Sequence, residues 1–106
     1  MSQTLQLIQQ LVSRGDIRIS EHGYDELSAD NIPVSDILDG VAGALLVEDY
    51  PEYHKGSCVL VLQRDRGGLP IHVVWGVPKG ANTPAVVVTA YRPEIDKWSK
   101  DFRTRL

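Results

Sequence analysis

Ser57-Cys58-Val59-Leu60-Val61-Leu62-Gln63-Arg64, then Asp65-Arg66-Gly67-Gly68, then Ile71-His72-Val73-Val74-Trp75-Gly76-Val77 is the stretch that decides the fold. Two runs rich in β-branched and aromatic residues flank a polar segment ending in two glycines, which is the pattern of a β-hairpin. Leu45 to Asp49 precedes it, across a polar loop from Pro51 to Gly56, and Ala85 to Tyr91 follows it, after a turn from Pro78 to Pro84. Together these runs predict four consecutive strands joined by short connections, an antiparallel meander. Side chains alternate along a strand. Ile71, Val73, Trp75 and Val77 therefore share one face, and His72, Val74 and Gly76 the other. In the last strand the same rule sets Ala85, Val87, Thr89 and Tyr91 against Val86, Val88, Ala90 and Arg92. Both faces are largely apolar, so the sheet is expected to be well covered or partly closed on itself.

Upstream the period changes from two to about 3.6. Leu5, Ile8, Leu11 and Val12 mark one face of a first helix, which Gly15 ends. Ile17-Arg18-Ile19 reads as an extended connector. Ser20 is an N-cap with Glu21 just inside it, so a second helix runs from about Glu21 to Ala29 with Tyr24 and Leu27 inward. Pro33 opens a third helix whose apolar face is Val34, Ile37, Leu38 and Val41. After the last strand, Pro93 opens a short helical turn from Glu94 to Trp98. The expected fold is α+β: two or three N-terminal helices packed on a four-stranded antiparallel sheet, with a short C-terminal helix, in one domain over residues 1–106.

The 106 residues carry 11 Lys+Arg and 14 Asp+Glu, a formal charge of -3. With 42% hydrophobic and 24% charged residues, a disordered or fibrous chain is excluded. The charge is divided by position. Residues 1–56 hold three Lys/Arg against ten Asp/Glu, a balance of -7, and residues 57–106 hold eight against four, a balance of +4. An anionic ligand is therefore expected on the strand side. The lone Cys58 has no partner for a disulfide, so a reducing, cytoplasmic setting is expected. The start lacks the basic and apolar regions of a signal peptide. The longest mostly apolar stretch, Val41 to Val47, falls far short of the about 20 residues of a membrane span.

Three histidines could carry chemistry. His22 and Glu26 stand one turn apart on the second helix, where the carboxylate could orient the imidazole for acid–base work, or the two could form a plain surface pair. His72 sits mid-strand, either aimed into a cleft or satisfied within a half-buried site. His54 reads as solvated. Tyr91 and Arg92 end the last strand, and Arg92 offers a planar fork suited to phosphate. Lys97, Trp98, Lys100, Arg103 and Arg105 follow, a mixture of cations and an aromatic that suits single-stranded nucleic acid or an ordinary solvated tail. Gly-rich phosphate loops and nucleophile elbows are absent, and Cys58 reads as a small hydrophobe. No ligand spacing supports a metal shared by His22 and His72 with Glu26 or Asp49, so no metal and no cofactor is expected.

Several segments in order resemble a bacterial family of unknown function, the domain family numbered 4258. They are Arg18-Ile19-Ser20-Glu21-His22, Ile32-Pro33-Val34-Ser35-Asp36-Ile37, Val47-Glu48-Asp49-Tyr50-Pro51, Ser57 to Leu62, Pro70 to Val74, Thr89-Ala90-Tyr91-Arg92-Pro93 and the closing Trp98 and Asp101-Phe102-Arg103. Its plan is distantly similar to nuclease toxins of the RelE, barnase and colicin kind, which cut RNA on an antiparallel sheet. What that resemblance implies is a toxin-like, metal-independent ribonuclease with His22, His72 and Tyr91 catalytic; Arg92, Arg18 and Lys97 are the cations expected to bind its substrate. It implies RNA and a cognate antitoxin-like protein as partners, and no membrane. Asp25-Glu26-Leu27-Ser28-Ala29-Asp30 is acidic where many members of that family carry arginines. That difference points to the alternative reading, a catalytically inactive protein-interaction module of the same fold. The oligomeric state does not follow from the sequence.

Overall fold

Capping and periodicity place three helices. The structure, a computed structural model, describes residues 2–106. Helix α1 spans Gln3–Ser13, with the Ser2 hydroxyl accepting from the Leu5 amide at 3.0 Å. It ends before Gly15, whose φ of +73° is the left-handed turn that glycine adopts without strain. Helix α2 spans Glu21–Ala29, with Ser20 accepting from the Gly23 amide at 2.9 Å as its N-cap. Helix α3 spans Val34–Gly40 behind Pro33 and runs into a 3-10 turn over Val41–Gly43.

The sheet has five strands, not four, and is mixed, not antiparallel. Strands β1 (Ile17–Ile19), β2 (Leu45–Tyr50), β3 (Cys58–Arg64), β4 (Pro70–Gly76) and β5 (Ala85–Tyr91) lie in the order β1-β5-β4-β3-β2. The expected meander is β2 to β5. The expected connector is the fifth strand: Ile17, Arg18 and Ile19 pair in parallel with Ala85, Val86 and Val87. Ile17 and Ile19 pack against the core while their backbone covers the edge that β5 would otherwise expose.

The expected C-terminal helix is also absent. Glu94 and Lys97 close a single turn, and Trp98 then bridges antiparallel to Arg105. Burial of Trp98 against the sheet, at 6% exposure, holds the segment extended where Pro93 alone would permit a helix.

The helices cover one face of the sheet. Ile8 and Leu11 of α1, Leu27 of α2 and Ile37 of α3 pack against Val59, Val61, Ile71, Val73, Trp75, Val87 and Ala90. Each such large apolar side chain contributes about 1.5–3 kcal/mol on full burial. Gln63 is a polar side chain fully buried in this layer. Gln63 donates to the Ile37 carbonyl at 2.9 Å and accepts from the Trp75 indole at 2.8 Å, so neither polar group is left unpaired. Tyr24, expected inward, is 54% exposed. Gly23 takes the inward place because α2 meets β5 so closely that a Cβ there would lie 2.7 Å from the Val87 carbonyl oxygen.

Two bulges re-sort the side chains. Pairing passes from Leu46↔Val61 to Glu48↔Leu60, which skips Val47, and from Val74↔Thr89 to Trp75↔Val87, which skips Val88. An extra residue shifts alternation by one. Hence Leu46 and Ala90 reach the helix-covered core while Glu48 and Tyr91 turn to the opposite face. The simple alternation that grouped Tyr91 with Val87 is corrected by the second bulge.

Candidate functional site

The face of the sheet away from the helices is built in three rungs. Arg18, Val86, Gly76, Cys58 and Tyr50 form the first by register. Thr89, Val74, Leu60 and Glu48 form the second, and Tyr91, His72, Leu62 and Leu45 the third. The C-terminal segment folds over the third rung and leaves the first open.

His72 is fully buried, and both its ring nitrogens are engaged. Nε2 lies 2.8 Å from the Phe102 carbonyl oxygen, which can only accept, so Nε2 carries the proton. Nδ1 is then the acceptor for the Tyr91 hydroxyl at 3.2 Å. Trp98 meets the imidazole edge-on, with ring centroids 4.4 Å apart. Burial lowers the His72 pKa below its ordinary value, partly countered by the Phe102 carbonyl, so the ring is neutral. Burial likewise raises the Tyr91 phenol.

Tyr91 is half-buried and borders two cavities. One, of about 670 Å³, is also lined by Asp30, Arg92, Lys97, Trp98 and Arg105. The other, of about 380 Å³, is also lined by Glu48, Tyr50, Tyr53, Cys58 and Arg105. Arg105 grips Glu48 with two hydrogen bonds, at 2.8 and 3.0 Å, and stacks over Trp98 at 4.8 Å. The guanidinium holds the Glu48 carboxyl below the usual carboxylate range. Tyr50 donates to the same carboxylate at 3.0 Å, which raises its own phenol.

Of the residues singled out in the sequence, the structure brings His72 and Tyr91 into direct contact and sets Arg92 and Lys97 along the Tyr91 cavity. Both cations are engaged with acids: Arg92 with Asp65 at 2.8 Å, and Lys97 with Glu94 at 3.3 Å. His22 is not joined to this group by any hydrogen bond or ion pair; it stands exposed on α2, 3.7 Å from Glu26. Arg18 lies at the opposite end of the face, on the open first rung. Sequence reasoning missed Glu48 and the part played by Arg105, because the Val47 bulge that turns Glu48 onto this face leaves no mark in the hydropathy pattern. The Phe102 carbonyl was equally invisible; Phe102 adopts φ +60°, a turn conformation that a phenylalanine does not advertise.

Among the described residues no group of three or more His, Cys, Asp and Glu could hold a metal ion, and no helix is long and apolar enough to cross a membrane. No curated protein and no solved structure matches the chain. One family model does match, over residues 19–92, which takes in the rung residues named above except Arg18 and leaves out the segment that covers His72. The chain belongs to the family of the domain of unknown function DUF4258.

Proposed function

We propose that this chain is a toxin-like, metal-independent ribonuclease whose reacting group is the Tyr91 hydroxyl, backed by His72. The observation that carries this reading is the Tyr91–His72 hydrogen bond: a neutral imidazole accepts from a phenol that opens onto a cavity lined by Arg92, Lys97 and Arg105. Cleavage of RNA by its own 2′-hydroxyl needs no metal and no external water. The 2′-oxygen bonds to phosphorus as the bond to the 5′-oxygen breaks, leaving a 2′,3′-cyclic phosphate. The 2′-hydroxyl proton passes to the Tyr91 oxygen while the Tyr91 proton moves to Nδ1 of His72. Lys97 protonates the departing 5′-oxygen, and Arg105 faces the phosphorane charge. His22, exposed on α2, has no part in this route.

A second reading is favoured by one observation. Arg92, Lys97 and Arg105 each already face a carboxylate, as an interaction module held together by internal pairs would require. Mixed-sequence RNA incubated with the protein in EDTA separates the two. The ribonuclease reading expects fragments ending in cyclic phosphate, and at least a hundredfold loss in Tyr91→Phe, which keeps the ring and removes only the hydroxyl. Intact RNA at high protein concentration overturns it in favour of the module, and equal cutting by wild type and Tyr91→Phe removes Tyr91 as the reacting group.

A further inference from the structure

The open first rung forms a groove of about 450 Å³ that none of the chemistry above uses. Its charged lining consists of Arg18, Lys55 and Lys79, with no carboxylate. Among the described residues none of these three side chains has a hydrogen bond or ion pair, whereas the cations around Tyr91 are all engaged. Its floor is apolar. Val86 and Val74 flank Gly76, whose missing side chain leaves the centre low, and the Val88 bulge pushes a valine out to 39% exposure. Tyr53 stands at the wall, 46% exposed, its ring 4.5 Å from that of His54.

The backbone brings the three cations together. Arg18 arrives on β1, opposite Val86. Lys55 and Lys79 come from two loops pressed against each other at Gly56, where a Cβ would lie 2.1 Å from the Val77 carbonyl oxygen and 2.8 Å from the Lys79 amide. Gly56 has φ +125°, a conformation that other residues rarely adopt. An unopposed cluster of cations over an exposed apolar floor beside an aromatic ring has the chemistry for phosphates and flat bases together.

We propose that this groove binds single-stranded RNA, with its phosphates on Arg18, Lys55 and Lys79 and a base laid on Tyr53 and Val88. The inference rests on the ribonuclease reading for its ligand class and adds where the strand is held. Tyr53, Cys58 and Val74 line the groove, and Tyr53 and Cys58 also line the cavity that reaches Tyr91, so a strand held here leads towards the Tyr91 hydroxyl. From Val86 to Tyr91 the sheet spans ~17 Å. Duplex RNA cannot lay a base on the floor and is the weaker ligand.

The probe is a fluorescein-labelled 2′-O-methyl oligoribonucleotide, which lacks the attacking hydroxyl and so reports binding alone. Wild type is expected to bind it saturably by anisotropy, more tightly than the same sequence as a duplex, and with an affinity that falls with salt as three phosphate contacts require. The combined Arg18→Ala, Lys55→Ala, Lys79→Ala variant is expected to bind at least tenfold more weakly with a flatter salt dependence, and Tyr53→Ala about tenfold more weakly. The inference is overturned if wild type shows no saturable binding, if the triple variant binds as tightly as wild type, or if duplex binds better. Binding without any cutting of unmodified RNA keeps the groove and removes the ribonuclease reading. Cutting by wild type with binding intact in the triple variant does the reverse.

Discussion

The two ends of one sheet face handle their polar groups in opposite ways. Under the C-terminal segment, at the second and third rungs, the functional groups are spent internally: His72 on Tyr91 and Phe102, Glu48 on Arg105 and Tyr50, and Arg103 on the Leu46 carbonyl at 3.0 Å. In the groove over the first rung, among the described residues, the three cations Arg18, Lys55 and Lys79 have no hydrogen bond or ion pair, and Val88 stands exposed beside them. Groups satisfied within the chain fix its shape, while groups left unsatisfied next to apolar surface are the ones free to meet something else. Residue type alone does not separate these cases. His72 and Arg92 are the more suggestive residues in the sequence, yet they are the ones the fold has already engaged.

The largest test of this contrast is Trp98→Ala. Trp98 seals the third rung against the His72 edge, and removing a buried tryptophan costs about 3–5 kcal/mol. Urea denaturation should show that loss, and amide exchange should rise along residues 98–105. A loss below about 1 kcal/mol would mean that the closed end is held by something other than this ring. At the open end the corresponding break is Gly56→Ala. The new methyl meets the Val77 carbonyl, and the positive φ is strained in any case, so a loss of about 1–3 kcal/mol is expected together with weakened oligonucleotide binding. Full stability with unchanged binding would show that the two lysine loops do not depend on that contact. The triple cation variant described above should change stability by no more than about 0.5 kcal/mol, because its side chains touch no partner.

The smallest effect is a pH dependence confined to the closed end. The folded pKa of His72 lies below its ordinary value of 6.5, so the folded state prefers the neutral ring. The stabilisation is complete above that value and is lost as pH falls through the folded pKa. Proton NMR should find the His72 ring titrating with a midpoint under 6.5; a midpoint above it would contradict the buried, neutral ring.

Much of this was legible. The caps Ser20 and Pro33 and the 3.6-residue period place α2 and α3, and the Asp65-Arg66-Gly67-Gly68 turn places β3 and β4. What escaped depends on contacts between distant parts of the chain. Three residues, Ile17 to Ile19, are too short to announce a strand, and their partner is β5, at the far end of the sequence. The bulges at Val47 and Val88 each move one residue to the other face with no change in composition, which hid Glu48 and misplaced Tyr91. Trp98 reads as the end of a helical turn until the surface that buries it is known. His72 and Tyr91 were visible as residues, but not as a bonded pair.

The parallel pairing of β1 with β5 also ties recognition to the whole fold. Arg18, Lys55 and Lys79 come from three segments that are neighbours only when β1 has docked, so the unfolded chain holds no version of the groove. A ligand there binds the native state alone, and at a hundred times its dissociation constant it would raise the unfolding free energy by about 2.7 kcal/mol. That increment would be felt by every strand at once, making occupancy of the groove a thermodynamic brake on opening the sheet from its outermost edge.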